Sequence, residues 1–159
     1  MKLPDFVKVY GDGESRVNAT VIVGKRGAVV VDTHVTIFVP EHGVLLTGDN
    51  VFSGRTPYVG DADVPRWLEV LTKLHALGPD VVIPGHGPVG GKEILVRQRD
   101  WLEAFLGLAQ DCFRKGVEVE EAADKVIAEL KADPARRQVL AEGIRNIYRS
   151  VSARAPGAV

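Results

Sequence analysis

Two short motifs in this chain bring together residue types that could bind a metal or move a proton. The first is Val44-Leu45-Leu46-Thr47-Gly48-Asp49-Asn50, where an apolar strand pattern runs into Gly-Asp. The glycine lets the backbone turn, and the carboxylate of Asp49 would project from the end of the strand. The second is Val81-Val82-Ile83-Pro84-Gly85-His86-Gly87-Pro88, which offers a single imidazole, His86, between two glycines. A third carboxylate, Asp32, closes Val29-Val30-Val31-Asp32-Thr33 in the same way. Open α/β sheets place ligands beyond the carboxyl ends of their strands. Carboxylate and imidazole together are donors suited to zinc or iron. Each motif alone has an ordinary structural reading, an Asx turn for Gly-Asp and a surface loop for Pro-Gly-His-Gly-Pro. Their joint occurrence at matching strand ends favours a site.

The remaining reactive residues are few. There are four histidines, His34, His42, His75 and His86, and no His-x-His pair. His42 belongs to a hairpin turn, and His75 falls late in a helix, where the C-terminal dipole favours it. Cys112 is the only cysteine, so an intramolecular disulfide and a Cys-rich zinc site are both excluded. Its place on an apolar helical side, with Leu108, Ala109 and Phe113, predicts a buried thiol acting as a small hydrophobe.

The elements that must position these groups change character along the chain. Phe6 to Tyr10, Asn18 to Val23 and Ala28 to Val31 read as strands, the last two joined across Gly24-Lys25-Arg26-Gly27. The run Val29-Val30-Val31 predicts a strand covered on both faces. Val35 to Val39 and Val44 to Thr47 flank Pro40-Glu41-His42-Gly43, a second hairpin. Asp63 caps a helix bearing Trp67, Leu68, Leu71 and Leu74, which Gly78 ends. Asp80 to Ile83 is a short strand stopping at Pro84. Lys92 to Lys115 and Val119 to Leu130 are amphipathic helices, and Asp133 as N-cap with Pro134 at N1 opens another. The expected architecture is one α/β domain over 1–152. It has a strand-rich part at 5–91, a helical part at 92–152 and a frayed tail at 153–159.

Composition narrows the partners. With 159 residues, 20 Lys and Arg against 21 Asp and Glu, and no basic stripe, a nucleic-acid partner is not expected. No stretch approaches the roughly 18 apolar residues of a membrane span, and the N-terminus lacks the apolar run of a signal peptide. A cytoplasmic protein acting on a small molecule is the resulting expectation.

Residues 34–52, His34-Val35-Thr36-Ile37-Phe38-Val39-Pro40-Glu41-His42-Gly43 followed by Val44 to Phe52, resemble the metallo-β-lactamase-fold hydrolases. Gly60-Asp61-Ala62-Asp63, the helix after it and Pro79-Asp80 to Gly91 are similar as well. They look like the branch that includes the quinoprotein relay system zinc metallohydrolases. The resemblance is specific through residues 28–99 and implies a partial αββα sandwich with a helical C-terminal region. It matches Asp49 to the family's metal-bridging aspartate, His86 to the last ligand of the second metal and Asp32 to an acid that orients ligand histidines. The family's His-x-His-x-Asp-His, expected after the Asp-Thr strand, is absent. Thr33 runs directly into His34, so the resemblance implies an internal deletion at that junction. His34 could be recruited as a third ligand.

Two functions follow from different classes. One is a metal-dependent hydrolase of ester, thioester, lactone or amide bonds, using zinc, or iron or manganese in its place, and impaired by the missing ligands. Catalytic zinc takes about three protein ligands and an open position. The other is a non-catalytic binding module that survives by self-association as a homodimer or larger assembly, because a lost segment exposes apolar sheet surface. An incomplete or rearranged copy of a longer gene would account for the gap without special chemistry.

Overall fold

Period-two burial builds the strand-rich part of the chain. In the computed structural model, which describes residues 3–11, 18–25, 27–31 and 35–154, six strands form two three-stranded sheets. The first holds β1 (Val7–Gly11), β2 (Asn18–Gly24) and β3 (Gly27–Val31), antiparallel in that order. The second holds β4 (Ile37–Val39), β5 (Val44–Phe52) and β6 (Val81–His86), with β4 antiparallel and β6 parallel to β5. Their facing sides meet in one core of Val7, Val31, Val44, Leu46, Val81 and Ile83, with Ile22, Ile37 and Val39 packed against it. Leu45 and Val82 alternate to the opposite side and are also fully buried, so the second sheet is covered on both faces.

The first sheet is not. Val30 is 63% exposed and Val29 51% exposed, which corrects the expectation that Val29-Val30-Val31 is a doubly covered strand. β3 is an edge strand: Val30 lies on the uncovered face, and Val29, although paired with Ile22 on the core-facing side, is left half-exposed at the edge, so an apolar run here marks exposure instead of enclosure. The register places Tyr10, Ala19, Val21, Val23, Ala28 and Val30 on the uncovered side with Lys8.

Four helices follow: α1 (Val64–Ala76), α2 (Glu93–Arg114), α3 (Val119–Leu130) and α4 (Arg137–Arg154). Their ends obey the local chemistry. Asp63 Oδ1 accepts from Arg66 N at 3.1 Å, and Gly78, at φ +65°, donates back to His75 O beyond the end of α1. Asp133 caps a 3-10 turn, Pro134–Arg136, that leads into α4, rather than the α-helix itself; its Oδ1 accepts from Ala135 N. Pro40–His42 is likewise a 3-10 turn, and the strand before it is shorter than expected. Cys112 is buried as anticipated.

By contact density the chain divides into two units, Met1–Arg55 with Glu69–Arg99 and Thr56–Leu68 with Asp100–Val159. Residues 56–68 therefore group with the helical part and 92–99 with the sheets. Among the described residues no helix is long and apolar enough to cross a membrane.

Candidate functional site

The parallel pair β5–β6 loses register just where the two motifs lie. Leu46 pairs with Ile83, Gly48 with Pro84 and Phe52 with His86, so β5 advances six residues while β6 advances three. Two consequences correct the sequence reading. Asp49 sits inside a strand that continues to Phe52, in an outward bulge, instead of at a strand end. β6 likewise runs through Pro84 to His86, because the proline falls at a register shift where no ladder N–H is required.

The bulge delivers Asp49 to His86. His86 Nε2 lies 3.1 Å from Asp49 Oδ1, and the side chains are 18% and 31% exposed. The Phe52 ring stacks on the imidazole, with centroids 4.5 Å apart and planes 9° from parallel. His86 Nδ1 is buried and, among the described residues, has no hydrogen-bond partner.

Backbone approach explains the glycines around His86. A Cβ on Gly85 would lie 2.6 Å from Gly48 O and 2.7 Å from Asp49 Oδ1, closer than real side chains come. Gly87 has φ +88°, and a Cβ there would collide with the Ser53 carbonyl. Both glycines let β6 press against β5, which is what brings the imidazole to the carboxylate.

Polar side chains hold the two strands from either side. Gln98, 4% exposed on α2, accepts from Phe52 N at 2.6 Å and donates to Asn50 O at 3.0 Å, gripping the bulged strand. Thr36 bridges Thr47 O and the Asn50 carboxamide. Across the sandwich, Asn18 Nδ2 donates to Pro84 O at 2.9 Å and to Gly87 O at 2.7 Å. None of these residues stands out in a reading by motif. Gln98 alone carries a signal, a polar side chain in line with the buried Ile94, Leu95 and Leu102.

Asp49 and His86 are thus brought together, whereas Asp32 and His34 lie outside the described residues. His42 is exposed, its ring 4.7 Å from that of Phe6. Two donors to one tetrahedral zinc ion sit roughly 3.3 Å apart, given bonds of about 2.0 Å, and the Asp49–His86 separation is compatible with that. Other observations are not. Among the described residues no group of three or more His, Cys, Asp and Glu could hold a metal ion. A metal-bound histidine usually donates its second ring nitrogen to an acceptor that fixes it, and His86 Nδ1 has none among the described residues. The described residues therefore supply half of a metal centre and do not fit a catalytic one. The ring nitrogen that does not face Asp49 is enclosed, so the pair offers Nε2 and the carboxylate as its accessible groups.

Cavities occur elsewhere among the described residues as well. One of about 290 Å³ is lined by Asp61, Val64, Leu106, Gln110, Asn146 and Ser150, with no Asp49 or His86 among its walls. The donor pair is the stronger pointer, because that cavity gathers two surface aspartates and the Ser150 hydroxyl but no imidazole or thiol.

Comparison with known proteins gives a family likeness over part of the chain. Residues 33–86, the span that contains both Asp49 and His86, match the family model of the metallo-beta-lactamase superfamily. A metallo-beta-lactamase type 2 of Bacteroides fragilis is 27% identical over a region that is 46% of this chain and 31% of that protein. Among solved structures, a metallo-beta-lactamase family protein of Thermus thermophilus aligns with a TM-score of 0.55 at 18% identity. The alignment covers 96% of this chain and 49% of that one. The stereoselective inverting sec-alkylsulfatase Pisa1 of Pseudomonas sp. aligns with a TM-score of 0.51 at 20% identity, over 98% of this chain and 27% of its own. The chain spans about half or less of the length of each of these proteins.

Proposed function

Taking residues 33–86 as metallo-beta-lactamase superfamily sequence on a fold of that type, we propose that the chain is a metal-dependent hydrolase of that superfamily in reduced form. Its bond class is ester, thioester, lactone or amide, and its turnover is impaired or absent. The carrying observation is the 3.1 Å approach of Asp49 to His86 without a third donor among the described residues. In an intact site zinc would supply a nucleophilic hydroxide and polarise the acceptor oxygen. Here this chain's own residues do less. Asp49 and His86 hold each other, Phe52 packs the imidazole, and the bulge aims the carboxylate.

Metal content tests this reading. Protein purified without added metal and then dialysed against zinc is expected to hold well below one equivalent, and His86→Ala less still. One tight equivalent accompanied by turnover would overturn the impairment and point to His34 as third donor, which His34→Ala would remove. Less than about a tenth of an equivalent in the unaltered protein, the level of contamination, would sink the metal reading altogether.

A second reading is favoured by the open side of the first sheet. Tyr10, Val23 and Val30 are 61%, 48% and 63% exposed there, and exposed apolar patches mark association surfaces. On this reading the chain persists as a self-associating, non-catalytic module.

A further inference from the structure

We infer that Asn18 is a positioning residue for His86, an inference that rests on reading Asp49 and His86 as the ligand-facing pair. The alternation of β2 puts Asn18 on the inner side with Thr20 and Ile22, facing the second sheet. Its carboxamide nitrogen donates to Pro84 O at 2.9 Å and Gly87 O at 2.7 Å, the carbonyls that bracket Gly85-His86. A primary amide has two N–H donors, and both are used.

The other carbonyls of this segment are held from β5. His86 O accepts from Ser53 N at 2.8 Å, and Ile83 O lies 3.2 Å from Thr47 Oγ1. β5 thus restrains one side of the His86 segment and, among the described residues, Asn18 restrains the other. Among the described residues the imidazole has no tether of its own beyond Asp49 and the Phe52 ring, since Nδ1 lacks a partner there. Its direction is therefore set through the backbone. Nε2 faces a carboxylate, so it carries the ring proton, and the arrangement selects the Nε2–H tautomer.

Asp at position 18 would have the shape of asparagine with no donors, setting carboxylate oxygens against two carbonyls. Asn18→Asp should replace the single His86 tautomer by a mixture, read from side-chain nitrogen shifts of metal-free protein with His86→Ala as assignment reference. Amide exchange at Ser53, whose N–H is bonded to His86 O, should speed up at least tenfold. Ile22→Ala, which loosens β2 packing on the same face, should lower the melting temperature and leave both signals unchanged. Should Asn18→Asp fail to fold, Asn18→Ser gives the same readings. Two unfolded variants, or a His86 tautomer and Ser53 exchange like those of the unaltered protein, would overturn the assignment. Because these readings use metal-free protein, they stand apart from zinc uptake, whose failure would sink the metal reading alone.

Discussion

Gln98 shows how a single buried amide can hold a site it never touches. Its oxygen and nitrogen engage Phe52 N and Asn50 O, two positions on the bulge that carries Asp49. Replacing it with leucine keeps the volume and removes both bonds. Gln98→Leu is expected to cost about 1–3 kcal/mol in chemical denaturation. The loss should come with a changed His86 environment in the proton spectrum. A stability loss below about 0.5 kcal/mol would mean that the bulge stands without the clamp.

At the scale of elements, the helices are tied by chemistry that responds to pH and salt. Arg137, opening α4, meets Asp124 and Glu120 of α3, and Arg145 reaches Glu120 at 2.7 Å. The Arg137 guanidinium beside Asp124 holds that carboxyl below its usual range. A carboxyl with a lowered folded-state pKa stabilises the protein above its unfolded-state value, near 3.9. That contribution fades as pH falls through the lower folded value. Arg137→Met should therefore lower the melting temperature at neutral pH. The gap from the unaltered protein should close below about pH 4 and shrink in roughly 1 M salt. A gap that persists in acid would place the effect in packing of the arginine stem instead.

The same scale shows what the sequence could and could not reveal. Helix ends were legible because their signals are local: Asp63 capping α1, Gly78 after it, and α3 over the span its periodicity indicates. The continuation of β5 through Asp49 was not legible, since Gly48-Asp49-Asn50 becomes strand only through Gln98, Thr36 and the shifted pairing with β6. The same holds for Pro84 within β6. The exposure of β3 was missed because an apolar run looks alike whether buried or at an uncovered edge. Of the candidate site, residue type and order singled out Asp49 and His86, which the fold brings together. Their 3.1 Å contact and the enclosed Nδ1 come from tertiary approach that no spacing encodes.

For the molecule as a whole, the uncovered side of the first sheet is the most exposed commitment of the sequence. Six of the seven paired positions on it are apolar, with Lys8 the exception. The chain is expected to sediment as a dimer or larger species at micromolar concentration. Val30→Asp combined with Tyr10→Asp should weaken that association at least tenfold without unfolding the protein. A monomer at those concentrations would remove the self-association reading.

The two bonds of Asn18 also say something about time. They join residues 66 and 69 positions apart, whereas β2 finds β1 and β3 within its own neighbourhood. Contacts of such separation carry a closure entropy that must be met before they give any return, so they tend to form late. Interactions made after the folding barrier act chiefly on the rate of unfolding. The Asn18 clamp on the His86 segment is then expected to be among the last features to assemble. Its persistence is a matter of native-state lifetime as much as of equilibrium.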